Sequence, residues 1–279
     1  MKLIGNRVKI EQPLPPAEEK WHVSRRTILS ASAVGGIALT GQFLSLSAVA
    51  QTPPTTTSVT RSVIAETKLR IAENVPLYFR AVGLVIPVNA MSSFSVAADG
   101  ILYQMSGSTV VTIGGKASAL AAHEGVFIPA GKQVSLKTGG DVPSTLMHFM
   151  LSRALDLDRP EAATPATTIE VFRTATPIPG LKAGMHDLNL TLITFPPHMP
   201  SNPPHHRSGA ALYYILSGTG ANTVAGQTSA KKVGSVIFEP SEIAHQWGNP
   251  ADEPLRFVVF NINPEGMPAV VPGSPVKAR

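Results

Sequence analysis

The chain has 279 residues, 43% hydrophobic and 15% charged, with 25 prolines, 23 glycines and a formal net charge of +5. That length suits one large domain or two small ones, and the absence of cysteine excludes both a disulfide framework and a thiolate metal site. Six Lys and Arg against three Glu stand in residues 1–50, so the rest of the chain carries only +2, and a nucleic-acid partner gains nothing from that charge.

In chain order, the first segment reads as an address rather than as structure. After a polar lead, Ser24-Arg25-Arg26-Thr27-Ile28-Leu29 resembles the twin-arginine export signature, with Ile28 where Phe is usual. A moderately apolar run continues to Leu46, and Ala48-Val49-Ala50 offers small residues for cleavage. Residues 1–50 are therefore expected to be a signal that hands a folded protein to the twin-arginine machinery for the periplasm or beyond. The alternative is an uncleaved membrane anchor, which Gly35, Gly36, Gly41 and Gln42 weaken. Residues 51–66, Thr/Pro-rich at their start, read as a flexible leader.

From residue 67 to 154 short apolar runs such as LYFRAVGLVIPV, TVVTI and TLMHFML alternate with Gly, Pro, Asn and Asp, the pattern of an all-β barrel or sandwich. Residues 155–168 read as a linker, 169–264 as a second block of the same kind and 265–279 as a tail. A gapless shift of 111 residues superposes Tyr103 on Tyr214, Ser106-Gly107 on Ser217-Gly218, Gly115 on Gly226, Phe127 on Phe238, Pro129 on Pro240 and Phe149 on Phe260. One unit is present twice.

The second copy concentrates chemistry, with His186, His198, His205, His206 and His245 within sixty residues. Gly234, Pro240, His245 and Asn249 stand at the spacing of the second cupin motif, with Glu242 where that motif has Gly. The run from Asn202 to Gly218 resembles the first cupin motif, except that its carboxylate position holds Ala211. The chain thus resembles a bicupin, which implies an all-β fold of two tandem cupin barrels, each a double-stranded β-helix or jelly roll. With a three-residue spacer the ligand pair of the first motif maps to His205 and Arg207, and with four residues to Pro204 and His206. His205 and His206 face opposite ways if their strand is regular, and only a bulge near Pro203-Pro204 aims both inward.

The resemblance implies a divalent transition metal (Fe, Mn, Ni, Cu or Zn) held by His205 or His206, His245 and, as a replacement ligand, His198. Strand parity places Tyr213 and Ile215 on the face of Ala211, and Trp247 on the face of His245. Tyr213 is then a hydrogen-bond donor or acid, and Arg207 a fixed cation suited to a carboxylate. Glu239 lies beside the Pro240 corner, where the turn breaks parity. In the first copy the corresponding positions are Phe94, Ser95, Val96 and Val134, so that barrel is expected to be structural or a hydrophobic pocket, with His123 and His148 as surface or core histidines.

Three readings follow. One is a metal-dependent enzyme similar to the bicupin dioxygenases that act on small aromatic or other organic substrates. Another is a non-catalytic cupin binding a small ligand or a metal. The third is an assembly role through barrel edges, which the resemblance also implies as a route to homo-oligomers.

Overall fold

A computed structural model describes residues 58–273 apart from Glu242; the expected signal, the start of the leader and the end of the tail lie outside the described residues. The first half supplies β1 (Thr60–Ile71), β2 (Leu77–Ile86), β3 (Met91–Ser95), β4 (Asp99–Ser106), β5 (Thr109–Ile113), β6 (Lys116–Leu120), β7 (Gly125–Ile128), β8 (Gln133–Thr138) and β9 (Ser144–Arg153). A 3-10 turn at Ala154–Asp156 leads to β10 (Thr167–Arg173). The second half supplies β11 (Gly184–Phe195), β12 (His205–Arg207), β13 (Ala210–Ser217), β14 (Thr219–Val224), β15 (Gln227–Lys232), β16 (Val236–Glu239), β17 (His245–Gly248), β18 (Leu255–Pro264) and β19 (Val270–Pro272).

These strands build two β-barrels in tandem. The sheets β10-β2-β9-β4-β7 and β3-β8-β5-β6 enclose the first, and β1-β11-β18-β13-β16 and β15-β14-β17-β12-β19 enclose the second. The internal repeat is visible in the elements: β4 to β9 recur as β13 to β18, and Gly107 and Gly218 turn the same corner with φ of +73° and +81°. A Cβ at either would lie 2.7 Å from a backbone oxygen, of Pro143 or Pro254, which is why Ser-Gly survives in both copies.

The strands do not respect the boundaries expected from the sequence. β1, which takes up part of the expected leader, pairs antiparallel with β11 from Thr60↔Thr194 to Ile71↔Gly184 and so belongs to the second barrel. β10 pairs with β2 and belongs to the first. Each barrel is closed by a strand from beyond its own repeat. Charged residues on β1 (Arg61, Glu66, Lys68 and Arg70) mark it as the outer strand of its sheet.

Alternation along each strand sorts side chains between two environments. Odd-numbered residues of β2 and β9 (Phe79, Ala81, Phe149) meet even-numbered residues of β11 and β18 (Leu188, Leu190, Phe260) in a core shared by the two large sheets. Phe260 packs edge-on against Phe79 at 5.6 Å between ring centroids, and each such fully buried ring contributes about 2–3 kcal/mol. The opposite faces point into the barrels. The first barrel is filled by Leu84, Ile86, Leu102, Leu136 and Leu146, a packed core rather than the hydrophobic pocket that was one expectation. The second is lined by Tyr213, Ile215, Trp247, Phe257 and Val259, with room left between them.

Candidate functional site

The site forms where β12 meets β17. β12 is a regular strand despite the prolines before it, so His205 and Arg207 are buried while His206 faces away, its Nδ1–H donating to Gly273 O at 3.2 Å. The structure thus follows the three-residue alignment, and His206 is not an inward ligand. His198 is also elsewhere: it sits in a left-handed turn with φ of +55°, exposed, its Nε2 3.1 Å from Asp252 Oδ1. A turn residue tied to the surface has no reach into the barrel.

His205 is the direct register partner of His245, and their rings meet edge to face at 4.4 Å. Each donates Nδ1–H to the carbonyl two residues back, His205 to Pro203 at 3.0 Å and His245 to Ile243 at 3.1 Å, which leaves Nε2 of His205 free and turns Nε2 of His245 to Glu239. Burial, helped by the nearby charge of Arg207 and by His245, holds His205 below the ordinary histidine range, against the opposing pull of its bond to Pro203.

Glu239 is the central residue that the sequence left aside. It is the cross-strand partner of Ala211, so the neighbouring strand supplies a carboxylate beside the position where the first motif has lost one. Its Oε2 accepts from Arg207 Nε at 3.0 Å and Nη2 at 2.9 Å, and its Oε1 from Trp247 Nε1 at 2.6 Å. His245 Nε2 lies 2.8 Å from the same Oε2 but off the direction of a hydrogen bond. Burial alone would raise this carboxyl; the charge of Arg207, with His245 and Trp247, outweighs it and holds Glu239 below the usual carboxylate range. The available signal was an acid sharing the inward parity of buried Ile237 along Val236–Glu239.

Arg207 ties the remaining groups together. Nη1 donates to Asn261 Oδ1 at 3.2 Å, Nη2 donates to the Tyr213 hydroxyl, and the guanidinium carbon lies 5.1 Å from the Tyr213 ring centroid. Tyr213 in turn stacks on Trp247 at 5.2 Å, and Trp247 on Phe257 at 5.5 Å. The network uses four of the five guanidinium N–H groups. Above it opens a cavity of about 520 Å³, walled by Ile193, Phe195, Phe257 and Pro272 among others, with His205, Arg207 and Tyr213 on its floor and Arg61 at its edge.

This donor set does not fit the metal centre that the resemblance implies. Two imidazoles point inward, but Arg207 stands where the motif has its second histidine. Its guanidinium is bound to the one nearby carboxylate, and among the described residues no three His, Cys, Asp or Glu side chains converge as a metal cluster. A cation on the same carboxylate oxygen would be repelled by Arg207 by roughly 4 kcal/mol per unit charge at about 4 Å.

Residues 191–261 match the Cupin domain family. Three solved structures are similar to this chain at low identity. A Cupin 2 conserved barrel domain protein from Leptotrichia buccalis is 17% identical with TM-score 0.42, over 70% of this chain and 88% of that one. Salicylate 1,2-dioxygenase from Pseudaminobacter salicylatoxidans is 11% identical with TM-score 0.46, over 69% and 75%. The oxalate decarboxylase of Bacillus subtilis, with its Mn(II) centres, is 14% identical with TM-score 0.48, over 79% and 81%. No curated protein sequence matches. The stretch that matches the Cupin domain family contains Arg207, Glu239 and both His205 and His245.

Proposed function

We propose that the second barrel binds a small organic acid with an apolar or aromatic body, and that Arg207 supplies the fixed positive charge which a metal would otherwise bring. The observation that carries this reading is the Tyr213 hydroxyl, which accepts from Arg207 at the floor of an apolar cavity. Its oxygen is engaged as an acceptor, which leaves its own proton available to a ligand. With the fifth N–H of Arg207, it offers two donors to one oxyanion. His205 Nε2 beside them accepts from a hydroxyl or protonated group on the same ligand. Arg61, which has no ion-pair partner among the described residues, adds positive charge at the entrance, which favours anions on approach.

Trp247 makes the test direct, because Trp21 is the only other tryptophan in the chain. In a Trp21→Phe background, aromatic and aliphatic carboxylic acids should quench Trp247 emission saturably, while the matching amides and alcohols should not. Equal binding of the neutral isosteres, or none across the panel, rejects the proposal.

A metal-dependent enzyme of dioxygenase type is a second reading. Its support is the pair of adjacent imidazoles with Nδ1 tied back to backbone carbonyls, and it requires Arg207 and His245 to release Glu239. Export is proposed on Ser24 to Leu29 alone: Arg25→Lys with Arg26→Lys should strand the precursor inside the cell, and normal export of that variant would reject the twin-arginine route. Association through barrel edges is likewise a proposal, tested by sedimentation of the full chain.

A further inference from the structure

The first barrel carries no metal-ligand positions, yet it holds a buried charge cluster of its own. Arg80 on β2 shares the inward parity of Val82, Leu84 and Ile86, and His148 on β9 shares that of Leu146 and Met150. Between them lies the carboxylate of Glu161, which is 3% exposed and comes from the segment between β9 and β10. Glu161 Oε1 accepts from Arg80 Nη1 at 2.8 Å, and Oε2 from His148 Nδ1 at 3.0 Å.

The segment around Glu161 is fastened like a stopper. Arg80 Nη1 also donates to Arg159 O at 3.1 Å, Ser92 Oγ donates to Ala163 O at 2.5 Å, and Ala162 and Ala166 pack on the apolar filling of the barrel. Nothing between Asp156 and Thr167 is helix or strand, so specific side-chain contacts, not a backbone ladder, hold it. His148 is fully buried and its Nε2 has no partner among the described residues. That nitrogen has space only because position 100 is Gly: a Cβ there would lie 2.7 Å from it. A guanidinium and an imidazole N–H, set in largely apolar walls, are the elements of a carboxylate receptor.

The second barrel shows the same position without a built-in acid. The 111-residue shift carries Glu161 onto Pro272, which lines the open cavity, and the covering segment there pairs Val270–Pro272 with His205–Arg207 instead of entering the barrel. We propose that the first barrel is a carboxylate-binding chamber occupied in cis by Glu161, and that a small free carboxylate takes the same place when Glu161 is removed or displaced. The first barrel then takes its acid from the covering segment, whereas the second, on the function proposed above, takes one from solution in addition to the Glu239 already on Arg207.

The test is replacement of the acid. Arg80 Nε stays paired with Glu170 Oε2 at 2.7 Å, but Glu161→Ala in the full chain leaves Arg80 Nη1 and His148 Nδ1 facing a void, and a melting temperature lowered on the order of 10 °C is expected. Sodium formate or acetate should restore it progressively, as binding to the native state requires, while sodium chloride at equal ionic strength should not. Adding Arg80→Met should abolish the recovery, and the unsubstituted protein should show no such gain. Recovery with chloride alone, or none with either carboxylate, overturns the proposal. If Glu161→Ala does not fold, Glu161→Gln keeps the shape with a weaker ligand. Acetate should then speed amide hydrogen exchange across residues 157–166 relative to chloride, and unchanged exchange also overturns it.

Discussion

Replacing Arg207 by Met removes the one permanent cation beside Glu239. Both side chains are nearly inaccessible, at 4% and 1% exposure, so water cannot take over the role of the guanidinium. Breaking a buried pair from one side costs about 3–5 kcal/mol, because the stranded charge keeps its desolvation penalty. For a folded unit of this size that lowers the melting temperature by about 6–20 °C, at about 2–4 °C per kcal/mol. Glu239→Gln is the matched partner, since its amide oxygen still accepts from Trp247 Nε1. The double variant carries neither charge and should recover at least half of the loss seen in Arg207→Met, a coupling of about 2 kcal/mol or more in a double-mutant cycle. Urea unfolding followed by Trp247 emission measures all four states. Additive effects, or a loss below about 1 kcal/mol in Arg207→Met, would refute the claim that the pair organises the site.

Acid should unfold the protein in two stages. The folded His205 resists protonation, so from its ordinary value of 6.5 downward the unfolded chain binds more protons and stability falls with pH until the folded group also titrates. Glu239 adds stability that is present above the ordinary value of 4.5 and is lost as pH falls through its depressed folded value. A stability profile flat from pH 7 to 3 would contradict both assignments. Gly209→Ala should cost about 3 kcal/mol or more, because the new Cβ would fall 2.0 Å from Ile262 O and push the strand that carries Tyr213; an unchanged melting temperature would show that the backbone there has room. His198→Ala and His206→Ala should leave acid binding within about a factor of two, whereas Tyr213→Phe should weaken it by about tenfold, the loss of one hydrogen bond to a charged ligand. Comparable losses in all three, by fluorescence titration, would remove the cavity assignment.

Much of the barrel was legible because corners are local. Gly107 and Gly218 need positive φ, each meets backbone at close range, and the repeat places them 111 residues apart whatever lies between. Parity also worked inside regular strands: Ala211, Tyr213 and Ile215 do share the barrel face, and Tyr214 does pack on the other side. Spacing along the chain says nothing about register across it, however. Glu239 enters the site only because β16 pairs with β13 at Ala211, and no count from His245 crosses the turn between them. The exchange of β1 and β10 was hidden for the same reason, since a strand pattern does not name its sheet. The choice between His205 and His206 hung on whether the backbone after Pro203-Pro204 is bulged, and its pairing with β19 from His205 to Arg207 keeps it regular.

The most direct measurement is a calorimetric titration of the protein, purified without added metal and then treated with chelator, against the tightest-binding acid of the panel, with metal content determined before and after treatment. The account predicts saturable one-site binding that is unchanged by chelation and lost in Arg207→Met combined with Glu239→Gln. Stoichiometric metal in the purified protein, with binding abolished by its removal and restored by its return, would contradict it and make the histidine pair, rather than Arg207, the centre of the site.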